Sequence, residues 1–194
     1  MAIVLEPGPA LGLNIIQSRV PSLLEEAGKD LAFGKMVSAG ADVSKPQPIY
    51  NASLQDVLDN KLLAGARLTG WQYLILNGDT VRATAELVFA PGDLAEWQYS
   101  VLHQPPAMLV EGAIQAAEGL PQFQQHEYQL RILRAPELHL YAVWLHRPDD
   151  EWLIPAAPTT SPLEPKRPYT ETQLTEALRP FAVSRSVPEV KEEQ

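Results

Sequence analysis

The residues whose types and spacing could support acid–base chemistry lie just after the most apolar stretch of the chain, residues 138–145. His146 and Arg147 are followed closely by Asp149, Asp150 and Glu151, and such a mixture of groups can accept and donate protons. Turns also collect aspartate, however, because its side chain accepts hydrogen bonds from nearby backbone amides. The turn is the favoured interpretation, and we predict no catalytic residue here.

Metal and phosphate sites find little support in the residue spacing. His139 and His146 are seven positions apart on one predicted strand, so they face opposite sides and cannot chelate one ion directly. Residues 28–36, GKDLAFGKM, resemble a phosphate-binding loop, but five residues separate the glycines where the motif has four. The chain contains no cysteine, which excludes thiolate nucleophiles and cysteine-ligated metals. We therefore expect no metal and no cofactor.

Aromatic side chains provide the remaining candidates for a functional surface. Trp and Tyr dominate the energetics of many protein interfaces, and here they concentrate on predicted strands. Such residues more often fill a core beneath a helix, and that alternative stays open. If they face outward, the candidate binding residues are Trp97, Tyr99, Tyr141, Trp144 and Trp152.

Composition narrows the class of partner. The formal net charge of the 194-residue chain is −9, and its lysines and arginines are scattered except for Lys166-Arg167. Phosphate backbones repel such a chain, so we expect no nucleic-acid partner. No apolar run reaches the length of a membrane span, and the first nine residues lack the basic segment of a secretory signal. We expect a cytoplasmic protein without a membrane partner.

Three regions are expected along the chain. Residues 1–52 form an N-terminal arm with a short helix from Pro21 to about residue 33, followed by a loop over residues 36–50. Residues 53–155 form the core. Residues 156–194 contain a proline-rich strap, a docking helix and a frayed tail, because proline recurs every three or four residues between Pro155 and Pro168.

The first half of the core is predicted as a helix and a hairpin. Ser53 suits the N-cap of a helix over residues 54–63. Residues 68–76 and 80–89 then form a hairpin around Asn77-Gly78. A two-residue loop would pair Leu76 with Asp79, whereas a three-residue loop separates apolar from polar side chains better. The second register places one apolar set on a shared buried face: Trp71, Tyr73, Ile75, Val81, Ala83, Ala85 and Leu87.

The next segments alternate between strands and a helix. Residues 96–102 alternate aromatic and polar types as a strand does, although Asp93 and Glu96 also resemble a helix cap. A helix follows over residues 105–118. The stretch 127–155 predicts three antiparallel strands, and residues 138–145 form the central one because they are apolar on both faces. In the tail, Thr170 and Gln173 predict a capped helix over residues 171–179 that ends at Pro180.

These elements predict an α+β fold. Its antiparallel sheet or sheets have about six strands in two three-strand groups, with helices packed on one face, a proline-rich strap and a C-terminal helix. The element order over residues 53–145 resembles that of the type III secretion chaperones. The resemblance implies a dimer that binds unfolded segments of other proteins.

Two functions remain open at this stage. The first is a non-catalytic protein-interaction module, such as an adaptor, a chaperone or an assembly component. It would bind a protein partner and could form a homodimer through an open sheet edge, either residues 96–102 or residues 152–154. The alternative is a small-molecule-binding or hydrolytic domain with a pocket between helix and sheet. A polar cavity favours the second function, and a broad exposed apolar strip favours the first.

Overall fold

The computed structural model describes residues 2–27, 42–89, 97–156 and 162–186. The strands are β1 (Ala2–Val4), β2 (Asp42–Val43), β3 (Gln47–Asn51), β4 (Arg67–Asn77), β5 (Thr80–Phe89), β6 (Trp97–His103), β7 (Glu127–Ala135), β8 (Leu140–Arg147) and β9 (Asp150–Pro155). The helices are α1 (Gly12–Ala27), α2 (Leu54–Leu58), α3 (Leu62–Gly65), α4 (Gln104–Glu118) and α5 (Glu171–Ser186). Short 3₁₀ helices cover Pro121–Phe123 and Pro136–Leu138.

All nine strands belong to one mixed sheet, with the order β6-β5-β4-β3-β7-β8-β9. β3 pairs antiparallel with β4 and parallel with β7. β1 also pairs parallel with β7, and β2 pairs antiparallel with β4. The predicted groups β4–β6 and β7–β9 therefore exist, but the expectation of about six strands in purely antiparallel sheets is wrong. β3 joins the two groups into a single sheet.

β3 comes from a segment that we expected to be a loop. Pro48 argues against a central strand, because proline donates no ladder hydrogen bond. In the structure Pro48 lies opposite Trp71 of β4, one residue before the pairing with β7 begins at Ile49. The β7 ladder is therefore not interrupted. The described residues among the first 52 contribute the strands β1, β2 and β3 to the sheet.

The hairpin of β4 and β5 has the predicted faces over most of its length. Trp71 pairs with Leu87, and Ile75 pairs with Ala83. The loop itself differs from both predicted forms, because Asn77 pairs with Thr80 and the register shifts after Ile75. The shift moves Val81 to the opposite face, where it packs with Leu74 and Leu76 instead of the predicted set.

Helices cover both faces of the sheet, so the expectation of helices on one face is wrong. α4 packs on one face, in a core that includes Ile49, Ile132 and Val143. On the other face, α1 packs against Trp71 and its neighbours, while α2, α3 and α5 bury the far end of the sheet. Pro48 alternates with Ile49 along β3, which places its partner Trp71 on the side opposite α4.

Three helix boundaries differ from the prediction. α1 begins at Gly12, so Pro21 lies inside the helix, and residues 28–33 of the predicted helix lie outside the described ranges. The predicted helix over residues 54–63 is divided into α2 and α3 around Asn60, which has a φ of 56°. α5 continues through Pro180 to Ser186. Its buried residues Leu174, Leu178 and Ala182 follow a four-residue spacing, and the continued helix buries Ala182 against the same core.

Several local predictions are confirmed. β6, α4 and the β7–β9 meander lie where the sequence places them, and β8 is apolar on both faces. α5 docks through Leu174 and Leu178, both fully buried. Thr170 and Gln173 exchange the predicted capping hydrogen bonds, at 3.1 and 3.3 Å. None of the helices in the described ranges is long and apolar enough to cross a membrane.

Candidate functional site

An open cleft lies at the carboxyl ends of the parallel strands β3 and β7. Its volume is about 480 Å³, within the range of small-molecule sites. The end of β3, the first turn of α2, the start of β4 and the 3₁₀ helix after β7 line it. Ligands of open α/β sheets also bind outside the carboxyl ends of strands, because the chain diverges there. We call this cavity the β3–β7 cleft.

The capping box of α2 fixes one wall of the cleft. The Ser53 backbone N–H and hydroxyl both donate to Oδ2 of Asp56, at 2.7 and 2.6 Å, and the Asp56 N–H donates to the Ser53 hydroxyl at 3.2 Å. The hydrogen bonds from Ser53 lower the pKa of Asp56, and the charge of Arg67 contributes a smaller lowering. Asp56 is therefore ionised at neutral pH. Its Oδ1 accepts no hydrogen bond within the described ranges.

Glu137, in the 3₁₀ helix after β7, also lines the cleft. Its Oε2 accepts a hydrogen bond from the Leu54 backbone N–H at 2.7 Å, which ties the 3₁₀ helix after β7 to the start of α2. The Arg185 guanidinium of α5 donates to the Glu137 backbone oxygen and anchors the same turn. Oε1 of Glu137 receives no hydrogen bond from the described part of the chain. Like Asp56, Glu137 thus has one engaged and one open carboxylate oxygen.

Asn51 and Arg67 face each other across β3 and β4 at the floor of the cleft. The side-chain oxygen of Asn51 is buried and has no partner among the described residues. Arg67 is exposed, and within the same ranges its guanidinium makes no hydrogen bond or ion pair. Buried polar atoms are nearly always hydrogen-bonded, so an unpaired amide oxygen at a cavity wall is an unusual feature.

On the side away from β4, Asn51 pairs with Arg134 of β7. Arg134 is the centre of a buried polar network. The Arg134 guanidinium donates to both carboxylate oxygens of Glu86, one of them at 2.9 Å, and to the amide oxygen of Gln72 at 3.3 Å. The Tyr141 hydroxyl donates to the same Gln72 oxygen at 2.5 Å. We call Arg134, Glu86, Gln72, Tyr141 and Gln47 the Arg134 network.

The network lies between the sheet and α4, and its charges are well compensated. Gln72 is fully buried and Glu86 is only 5% exposed. Burial lowers the pKa of Arg134, but the hydrogen bonds and charge of Glu86, with a contribution from Tyr141, outweigh burial and leave the pKa above its ordinary value. Burial also raises the pKa of the Tyr141 hydroxyl. The network is therefore a structural ion pair, with most of its polar atoms already engaged.

One atom of the network is an exception. Nε of Arg134 is buried without a partner in the described ranges, as is the side-chain oxygen of its neighbour Asn51. An unpaired donor and an unpaired acceptor thus occur on two directly paired residues, where β3 and β7 meet the cleft. This junction links the open cleft to the buried network.

A second cluster of polar and aromatic groups lies on the opposite face of β7. The guanidinium of Arg131 stacks over the rings of Tyr50 and Trp144, 5.2 and 4.9 Å from their centroids. It also donates to Glu6 at 3.0 Å and to Gln129 at 2.9 Å. These contacts fasten the N-terminal segment to the sheet and leave Arg131 with few free donors.

The histidine and acidic residues of the β8–β9 turn are engaged with each other. Nδ1 of His146 contacts Glu151, and Asp150 accepts hydrogen bonds from the Tyr128 hydroxyl and from the Trp152 indole, the latter at 2.8 Å. These partners support the structural interpretation of the turn. In the part of the chain that the structure describes, no three residues of metal-ligating type come together.

The aromatic residues that we predicted for binding occupy several positions. Tyr141 and Trp144 lie on opposite faces of β8, and Trp144 is buried. Trp152 is half-buried on β9 and meets Phe123 edge to face. Trp97 and Tyr99 lie on the end strand β6, and their side chains fall outside the description. Tyr141 and Trp152 pack against the α4 core, while Trp144 packs on the other side.

Sequence reasoning missed Asn51, Arg67 and Arg134. One signal could have identified Arg134, because the alternation of Leu130 and Ile132 continues to it and predicts an inward side chain. An arginine at such a position requires a buried acidic partner. Neither Asn51 nor Arg67 carries a comparable signal, since their opposition depends on the pairing of β3.

Comparison with known proteins gives no relative: no protein-family model, curated protein or solved structure matches this chain. The resemblance to type III secretion chaperones therefore rests on the order of the elements alone.

Proposed function

We propose that this protein binds a small polar molecule in the β3–β7 cleft. The observation that carries the proposal is the facing pair Asn51 and Arg67, which line a cavity of about 480 Å³; the Asn51 side-chain oxygen and the Arg67 guanidinium have no hydrogen-bond partner among the described residues. Unpaired polar groups that converge on a cavity are the usual basis of ligand orientation.

The rest of the cleft is held in place before any ligand arrives. Asp56 and Glu137 are each anchored to a backbone amide, through Ser53 and Leu54. Arg185 fixes the backbone of the Glu137 turn from α5. Rigid walls reduce the ordering cost of binding, so a few correct hydrogen bonds suffice for affinity.

Native mass spectrometry of the protein purified from its own source tests the proposal. We expect a bound species of small mass in the wild-type protein, and its loss in the Arg67→Ala variant. Arg19→Ala is the matched control, because it removes the same charge from an exposed residue of α1 that does not line the cleft. A wild-type protein that carries no small molecule, before and after incubation with a metabolite extract, would overturn the proposal.

A second candidate is the protein-interaction module, and the end strands of the sheet favour it. The outer edge of β9 is closed, because Leu153 exchanges two backbone hydrogen bonds of 2.8 Å with Tyr169 and Lys166 donates to the Pro155 oxygen. On β6, no strand in the described ranges pairs with the outer edge. An open edge of this length is normally covered or paired.

We therefore place the seam of a homodimer, or the entry point of a partner strand, at β6 (Trp97–His103). Light scattering coupled to size exclusion measures the mass in solution, and a dimer or a stable complex is the expected result. A monomer at all accessible concentrations, with no co-purifying protein, would remove this candidate and leave the ligand-binding proposal in place.

A further inference from the structure

The β3–β7 cleft presents open groups of both charges. Its positive group is the guanidinium of Arg67, which has no hydrogen-bond partner in the described ranges. Its negative groups are the carboxylates of Asp56 and Glu137, whose Oδ1 and Oε1 accept no hydrogen bond from the described residues, while the other oxygen of each binds α2 or its cap. We infer that the cleft recognises a zwitterion, namely a free amino acid or a short peptide with both its ammonium and its carboxylate group. This inference rests on the proposed function.

The carboxylate of such a ligand matches Arg67. A guanidinium offers five N–H donors in a planar fork, which binds a carboxylate through two parallel hydrogen bonds. Asn51 faces Arg67 across the strand pair, and its side-chain oxygen, which has no partner in the described ranges, is an acceptor that suits the ligand's ammonium group. Together the two residues form the polar floor of the cleft.

The ammonium group matches the acidic walls. An ammonium has three donors and no acceptor, and it therefore suits two carboxylates with one open oxygen each. Asp56 and Glu137 are suitable because both line the cleft, and each is already fixed in orientation by a backbone N–H. A ligand without an ammonium group would leave the second oxygen of each carboxylate without a charged donor, although Arg67 contributes a favourable charge near Asp56.

The charge balance argues against ligands of a single sign. Two carboxylates and one guanidinium line the cleft, and the chain as a whole carries a net charge of −9. The excess of carboxylates in the cleft and the negative net charge of the chain both repel a simple anion. A simple cation would satisfy the acidic walls but would offer no acceptor to the donors of Arg67. A zwitterion pairs both kinds of group and adds no net charge.

Isothermal titration calorimetry with each standard amino acid, and with glycylglycine, tests this inference on the full chain. We expect at least one of these zwitterions to bind. For that compound, the matched amine without the carboxylate and the matched acid without the ammonium should each bind at least roughly tenfold more weakly, since each lacks charge-assisted hydrogen bonds.

Variants of the cleft make the test specific. Arg67→Ala should weaken binding roughly tenfold or more, and Glu137→Gln should weaken it several-fold, because the amide oxygen still accepts from Leu54 but the charge is lost. Arg19→Ala should bind as the wild type does. Thermal unfolding without ligand confirms that each variant is folded.

Three results would overturn the inference: no zwitterion binds, the amine or the acid binds as tightly as the zwitterion, or Arg67→Ala binds unchanged. The proposed function has a separate test in the bound mass of the purified protein. If the wild-type protein carries a compound that Arg67→Ala loses, while no zwitterion binds in calorimetry, that result contradicts the inference but supports the cleft as a binding site. Absence of any bound compound contradicts both.

Discussion

Replacement of Arg134 by methionine should destabilise the protein severely, because it leaves the carboxylate of Glu86 buried and unpaired. The Glu86 side chain is 7% exposed, and Arg134 is its ion-pair partner. Methionine keeps much of the length of the arginine side chain but removes the charge and all donors. The effect therefore isolates the loss of the ion pair from the loss of packing.

The size of the effect follows from the geometry. Two unit charges 2.9 Å apart attract each other by about 6 kcal/mol at an effective dielectric constant of about 20. The cost of removing both charges from water offsets most of this attraction, so the intact pair contributes little net stability. Removal of one partner leaves that cost uncompensated, and buried pairs broken in this way lose about 3–5 kcal/mol.

Urea unfolding of three variants measures this prediction. Arg134→Met alone should lower the free energy of unfolding by about 3–5 kcal/mol. The double variant Arg134→Met with Glu86→Leu should lose much less, because no buried charge remains, and Glu86→Leu alone should resemble Arg134→Met in leaving one charge unpaired. If the double variant is as unstable as Arg134→Met, or if Arg134→Met costs less than about 1 kcal/mol, the argument from an unpaired buried charge is refuted.

Three further predictions concern the helices and the cleft. Leu178→Ala should lower the free energy of unfolding by about 2–5 kcal/mol in urea titrations, because Leu178 is fully buried, whereas Val183→Ala on an exposed position of the same helix should change it little. Gly12→Ala should lower the melting temperature, since an added Cβ would overlap the hydroxyl of the buried Tyr73. Hydrogen bonds lower the pKa of Asp56, so its stabilising effect is complete above its ordinary pKa and lost as the pH falls through the lowered value. The stability difference between wild type and Asp56→Ala should therefore shrink below about pH 4 in urea titrations, and a difference that grows there would contradict this sign.

Local chemistry predicts the elements that depend on it. The cap at Ser53 and the capping pair of Thr170 and Gln173 act within four residues of chain, and both occur as expected. The β7–β9 meander is equally predictable, because consecutive strands with short turns pair with each other and the apolar run fixes the central one. In each case the interacting residues are close in sequence.

The position of β3 is not predictable in this way. It lies between β4, which follows it closely, and β7, whose paired residues are about eighty positions further along the chain. No local pattern specifies a parallel partner at that separation, and Pro48 favours a loop. The cleft depends on this placement, because its floor consists of Asn51 and the residue opposite it. Because the sequence does not predict the position of β3, it does not predict the candidate site either.

The burial of the polar face of the hairpin is a second feature that the local sequence does not predict. Gln72 and Glu86 alternate with apolar residues, which is typical of a strand with one face in water, yet both are buried. Burial became possible because Arg134, from a strand far along the chain, supplies the charge and the donors that these side chains require. The alternation thus predicts which residues share a face of the strand, but it does not predict whether that face is exposed to solvent. Its environment is decided by the element that packs over it, here α4.

At the junction between cleft and network, Oδ1 of Asn51 and Nε of Arg134 have no hydrogen-bond partner within the described part of the chain. A buried polar group without a partner raises the free energy of the folded state by about 1–3 kcal/mol. Packing alone does not require an amide at residue 51, since an apolar residue of similar volume would remove that cost. Local rules of this kind are broken most often where binding requires it. The cost at Asn51 is therefore consistent with the binding role that we propose for the cleft, which Asn51 lines beside the most polar part of the core.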